Sequence, residues 1–174
     1  MKTCKELTLL GVYCALLIGG QLALSGIAGV EIVTVLSVCF CFYFGLARGV
    51  IVMTLFSLLR CLVFGFYPTV IILYLIYYNL LAVCYGVIGK VFKKDLTIWW
   101  KFLIFVLTAC VLTVCFTMID NIITPLYLKM SKKATYAYFY SSLPIMTTQT
   151  ISALFTVSFL SKPILKAYEY IKLN

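Results

Sequence analysis

Apolar residues fall in long blocks along this chain, and short clusters of Gly, Pro and Lys separate them. Windows of about 19 residues place helical spans near residues 6–24, 30–45, 48–64, 68–89, 98–120 and 136–161. A block of about 20 apolar residues covers about 30 Å of hydrocarbon as a helix and satisfies its own backbone polar groups. The alternation that marks a membrane barrel is not the dominant pattern. The breaks have local causes. Ser25-Gly26 and Gly29 follow the first span, Gly45 to Gly49 lie between the second and third, and Gly65-Phe66-Tyr67-Pro68 precedes the fourth. Lys90, Lys93 and Lys94 separate the fourth from the fifth. Pro125 opens a polar connection, residues 121–135, and residues 163–174 after Pro163 read as a short interfacial tail.

Composition turns this pattern into a class. With 64% hydrophobic and 11% charged residues in 174, and a mean hydropathy of +1.13, the chain lacks the polar surface to coat a soluble globule. The expectation is an all-α membrane protein, one integral domain over residues 1–174 with six transmembrane helices. Lys2 and Lys5 ahead of an apolar run, with Ala23-Leu24-Ser25 as a small-x-small triplet, imitate a secretory leader. The run is long for one and is read as the first span.

The net charge of +9 does not point to nucleic acid, because the basic residues stand at the ends of apolar runs, where they act as topology signals. With the N-terminus inside, the cytoplasmic side holds ten basic residues: Lys2, Lys5, Arg48, Lys90, Lys93, Lys94, Lys101, Lys162, Lys166 and Lys172. Lys129, Lys132 and Lys133 are the three outside. Both termini are therefore expected in the cytoplasm of a multi-pass, bacterial cell-membrane protein. Lys90 to Lys94 read as an anchor at the inner face.

In this topology the polar residues lean outward. Gln21, Glu31, Arg60 and Asp120-Asn121 fall near external helix ends, while Asn79, Thr147, Thr148 and Gln149 lie nearer mid-span. Ionisable groups within a span cost about 2.5 to 3.5 kcal/mol on insertion scales, so they usually face a bundle interior or a wet cavity. Glu31 and Arg60 fall at similar depth on neighbouring antiparallel helices and are candidates for an ion pair or for snorkelling to the headgroups. Tyr74 and Tyr78, one turn apart, with Tyr85 beyond, make a tyrosine stripe that can stack on a planar ligand or simply pack. With a bend at Pro144, Glu31, Arg60, Tyr74, Tyr78, Asn79, Asp120, Asn121 and Gln149 are the candidate lining of an outward-facing substrate cavity.

Histidine is absent, and the eight cysteines lie mostly inside predicted spans without metal-type spacing, so they read as reduced packing residues. No nucleotide-binding loop, zinc-protease helix or serine nucleophile elbow occurs. The expectation is a non-enzyme with no metal and no cofactor of its own. Any nucleotide hydrolysis belongs to other chains.

On the first span Gly11, Ala15, Gly19 and Ala23 recur every fourth position, a shallow groove that accepts another helix, inside the chain or in a partner. Small size, six spans, internal termini, this strip and the run AGVEIVTVLSVCFCFYFGLARGVIVMTLFSLLRCLVFGFYPT resemble the S component, the substrate-binding membrane subunit, of energy-coupling factor (ECF) transporters. The resemblance covers essentially the whole chain. It implies capture of a vitamin or related micronutrient outside, and docking on a T component that carries two ATPases, which use the ATP. It also places the partner contact on Gly11, Ala15 and Gly19, with glycine where the family usually has alanine. Two other classes fit the same pattern, a non-transporting six-helix scaffold of a cell-envelope complex and a solitary proton-coupled carrier titrating at Glu31 or Asp120.

Overall fold

The computed structural model describes residues 2–26 and 32–173, with side chains for 4–26 and 32–170. Among the described residues there are six helices and no strand: α1 (Lys2–Ala23), α2 (Val33–Phe44), α3 (Leu46–Phe64), α4 (Pro68–Val91), α5 (Trp99–Tyr127) and α6 (Lys132–Leu173). Five of them, all but α2, are long and apolar enough to cross a membrane. The chain is thus an all-helical bundle whose long apolar helices suit a bilayer.

Within the sixth expected span, 30–45, the described helix is shorter than the other five. α2 has 12 residues, about 18 Å at 1.5 Å per residue, against about 30 Å of hydrocarbon. Every residue from Val33 to Tyr43 is buried, so this helix is apolar all round because protein, not lipid, surrounds it. It packs against α4, α6, α3 and α1. The turn into α3 is a single residue, Gly45, at φ +88°, which closes one helix and opens the next in a conformation that L side chains rarely adopt.

Two glycines let α4 press against that turn. A methyl group on Gly86 would stand 2.7 Å from the Leu46 Cα, and one on Gly89 would run into the Phe42 carbonyl oxygen. α4 therefore runs alongside α2 and antiparallel to α3. Glu6 pairs with Arg48, and the Cys14 thiol points to the Val52 carbonyl at 3.7 Å, so α1 runs parallel to α3. At the far end of the chain Tyr168 packs on Tyr13, Tyr43 and Phe44, which brings the last turns of α6 to the same end of the bundle as the start of α1. This end also carries Arg48, Lys90, Lys93, Lys94, Lys101, Lys162 and Lys166 and is called the basic end below.

Two expectations are corrected here. The polar connection placed at 121–135 is mostly helix, because α5 continues through Asp120, Asn121 and Pro125 to Tyr127, and only residues 128–131 connect it to α6. The tail expected after Pro163 is also helix, since α6 passes both Pro144 and Pro163 without a break. Proline removes one donor, but the remaining turns bond on either side, and neighbouring helices hold a membrane helix together where a free one would fray. At 42 residues α6 is about 63 Å long, more than a whole bilayer of about 40–45 Å, so part of it stands beyond the apolar slab.

All eight cysteines are free. Cys14, Cys39 and Cys41 are buried and Cys4 is exposed, with the others between.

Candidate solute-binding cavity

At the end opposite the basic one, α5 and α6 enclose a cavity of about 160 Å³. On α5 it is walled by Phe116, Thr117 and Asp120, and on α6 by Tyr138, Ser141, Ser142, Ile145 and Gln149. The spacing explains the wall. Residues three, four and seven apart share one helix face, and on both helices that face mixes hydroxyls, an amide and a carboxylate with apolar side chains. A narrower void continues from Phe116 and Gln149 to Tyr77, Tyr78 and Thr113.

Asp120 is the one charged residue in the wall. Its Oδ2 accepts a 2.7 Å hydrogen bond from the Tyr138 hydroxyl across the α5–α6 seam, and its Oδ1 accepts one of 2.7 Å from Thr124. Beside it, Asn121 donates to the Ser142 hydroxyl at 2.9 Å, which joins the helices a second time. Thr117 behaves differently from its neighbours. Thr108 and Thr113 each return their hydroxyl to a carbonyl four residues back, whereas Thr117 Oγ1 is buried with no hydrogen-bond partner. Buried polar atoms are nearly always partnered, so this hydroxyl, facing the cavity beside Asp120, is a wall group able to donate or accept a hydrogen bond.

Of the sequence candidates, the cavity gathers Asp120 and Gln149, and its extension gathers Tyr78, while Asn121 serves the seam. The others are elsewhere. Asn79 accepts a 3.0 Å hydrogen bond from Thr54 on α3 and returns its own amide to the Leu75 carbonyl, so it fastens α3 to α4. Arg60 lies with its guanidinium carbon 4.2 Å from the centre of the Tyr74 ring and 4.9 Å from that of Phe64. Tyr74 also accepts a 3.0 Å hydrogen bond from Gln21 on α1. This group belongs to the α1–α3–α4 side and supplies no cation to the cavity. Glu31, and with it the pairing with Arg60, lies outside the described residues.

The tyrosine stripe is packing for the most part. Tyr74, Tyr77 and Tyr78 are buried in a cluster of edge-on and tilted rings with Phe56 and Phe116, and Tyr85 donates to the Phe105 carbonyl at 2.7 Å. Sequence reasoning missed Thr117, Tyr138, Ser141 and Ser142. The helical spacing of Thr113, Thr117 and Asp120, and of Tyr138, Ser142 and Gln149, was the available signal; both sets lie inside the expected spans 98–120 and 136–161, but which helix packs beside which is not written in that spacing.

The small-residue strip on α1 faces outward. Gly11, Ala15, Gly19 and Ala23 are all exposed, and a methyl group added at Gly11 or Gly19 would meet nothing within 4 Å. The opposite face of the helix, with Tyr13, Cys14 and Leu17, is the one buried in the bundle.

No protein-family model, curated protein or solved structure matches this chain.

Proposed function

We propose that this chain is the membrane-embedded binding subunit of a solute importer, of the S-component kind in ECF transporters. It takes a compact solute from the outer side into the α5–α6 cavity, and a T component and two ATPases supply the energy. The observation that carries this reading is the polar-walled cavity itself: a carboxylate, four hydroxyl side chains and an amide around about 160 Å³ inside a bundle that is otherwise mostly apolar. Such a wall is expensive to keep in hydrocarbon unless it meets water or a ligand.

Orientation follows from charge. The basic end collects ten Lys and Arg in the sequence against three at the end holding the cavity, which supports a cytoplasmic basic end with both termini on that side. The cavity then opens away from the cytoplasm.

Its size and charge narrow the solute. Pockets for drug-sized ligands run to about 300–1,000 Å³, so this one suits a smaller molecule, about five waters in volume. With Asp120 as the charged group and Arg60 held elsewhere, the solute is neutral or cationic and rich in hydrogen-bond donors. The exposed α1 strip supports the second half of the reading, because lipid tails fill a groove of small residues less well than a fitted helix does.

The test is mass spectrometry of small molecules that copurify with the detergent-extracted subunit, followed by uptake in vesicles with and without the ATPase-bearing partners. A donor-rich molecule retained at one per chain, and transported only with partners and ATP, is the expected result. Purified chain that retains no molecule and supports no uptake with any such partner would remove the proposal.

A further inference from the structure

A second cavity, of about 450 Å³, opens at the basic end, between the α4–α5 connection and the last turns of α6. Lys94 reaches it from the connection, and Lys162 and Lys166, one helical turn apart, reach it from α6. Two acids share the wall, Asp95 and Glu169.

The acids do not cancel the lysines. Asp95 accepts hydrogen bonds from the Thr97 backbone N–H at 2.9 Å and from the Thr97 hydroxyl at 2.7 Å, and it lies 3.6 Å from the Lys101 ammonium. These contacts, the Thr97 bonds first, hold its carboxyl below the usual range, and its charge is already answered by Lys101, which does not line the cavity. Glu169 is then left against Lys162 and Lys166, an excess of one positive charge, and Lys94 adds its ammonium to the same wall. Among the described residues neither Lys162 nor Lys166 stands within ion-pairing distance of a carboxylate.

The lysines are also placed rather than loose. The Lys94 ammonium sits 5.1 Å from the centre of the Tyr43 ring, and that of Lys162 sits 4.7 Å from the centre of the Phe102 ring. Lys93 and Lys94 both have left-handed backbones, at φ 54° and 62°, an uncommon conformation for two successive residues with side chains. It is fixed by the Lys94 N–H bonding to the Gly89 carbonyl at 3.0 Å. Strained backbone held in place by its surroundings tends to collect where a ligand is met.

Depth selects the ligand. Trp99 and Trp100, 75% and 50% exposed, begin α5 immediately after the connection, and Trp100 packs edge-on against Phe92. Exposed tryptophans mark the headgroup level of a bilayer. We propose that this cleft binds the phosphate of an anionic phospholipid headgroup, drawn from the leaflet at the basic end. Basic pockets at this level of a helical membrane protein suit such headgroups. The site is separate from the solute cavity, which lies at the other end of the bundle.

The experiment is native mass spectrometry of the full-length protein from detergent micelles containing phosphatidylglycerol or phosphatidylcholine at matched concentration. The expected result is one tightly held phosphatidylglycerol, at least tenfold preferred over phosphatidylcholine. The double variant Lys162→Gln/Lys166→Gln should reduce that preference at least tenfold, whereas Lys132→Gln/Lys133→Gln at the opposite end should leave it unchanged. Equal retention of both lipids by the wild type overturns the proposal without reliance on any variant. Loss of the lipid to inorganic phosphate at equal concentration also overturns it, since the cleft would then hold a free anion. A preference that survives the Lys162/Lys166 change places the lipid elsewhere and overturns it as well.

Discussion

Tyr138 donates its hydroxyl to Asp120 at 2.7 Å, and this bond joins α5 to α6 across the cavity that both helices wall. The carboxylate thereby has one oxygen turned to Tyr138 and the other to Thr124, and it stays fixed at the side of the void. Removing the charge and removing its fixing partner should have different effects. Asp120→Asn is expected to weaken a cationic or donor-rich solute by more than tenfold, or more than about 1.4 kcal/mol. Tyr138→Phe removes one hydrogen bond to a charged group, about 1.5 to 3 kcal/mol, and should lower thermal stability more than Asp120→Asn does. Titration calorimetry and melting curves on the same preparations check both. Unchanged affinity in Asp120→Asn would take the solute out of this cavity.

Arg60 gives the opposite expectation. Its guanidinium is stacked on Tyr74 and Phe64, away from the α5–α6 wall, so its replacement should be read in stability. Arg60→Ala is expected to cost about 1 to 2 kcal/mol through the lost cation–π contacts and stem packing, and Arg60→Lys to recover part of it. Solute affinity should not change. A tenfold loss of affinity in Arg60→Lys would show that the cavity reaches further across the bundle.

The helices were largely legible in the sequence, because long apolar blocks bounded by Gly, Pro and Lys have few other outcomes. Hydropathy alone does not say whether an apolar block is covered by lipid or by protein, and the full burial of the short α2 could not be read from it for that reason. Prolines 125 and 163 read as stops, yet α5 and α6 run past them where neighbouring helices hold the backbone. Depth was legible for Asp120 and Gln149, but the facing of a side chain depends on which helix packs beside it. Asn79 lies at a suitable depth and turns to Thr54 instead. The α1 strip and the Gly86/Gly89 pair look alike as patterns, and only packing shows that the second is the internal seam.

That contrast can be measured. At Gly86 the obstructing atoms belong to the Leu46 backbone and Cβ, and at Gly89 to the Phe42 backbone, so no rotamer change relieves an added methyl. Gly86→Ala and Gly89→Ala are each expected to destabilise by at least about 1 to 3 kcal/mol, the usual cost of overpacking. Gly11→Ala and Gly19→Ala meet open space and should be neutral or stabilising by up to about 1 kcal/mol, the difference in helix propensity. The sign of the melting-temperature shift in the two pairs is the test.

The segment after Pro163 is expected to be structural. The Tyr13 hydroxyl donates to the Leu36 carbonyl at 2.8 Å and so accepts its 2.5 Å bond to the Tyr168 hydroxyl, which links α2, α1 and α6 in one chain. Tyr168→Phe should cost about 1 kcal/mol, one buried hydrogen bond. Truncation after residue 163 also uncovers Tyr43 and Phe44 and should cost several times more. If the truncated protein melts at the wild-type temperature, these contacts contribute nothing to the fold.

The α1 strip separates docking from binding. Its four positions are exposed on a helix whose other face, Tyr13, Cys14 and Leu17, is fixed in the core, so larger side chains on the strip leave the bundle and the distant α5–α6 cavity intact. A triple change of Gly11, Ala15 and Gly19 to leucine fills the groove and, on the proposed reading, prevents a T component from seating its helix there. Melting temperature and solute affinity of the isolated subunit should match the wild type, while ATP-driven uptake in vesicles holding the partners should fall at least tenfold. Each readout isolates one alternative. Lost solute binding would mean that the strip supports the fold after all, and full uptake with a filled groove would mean that the partners dock on another face.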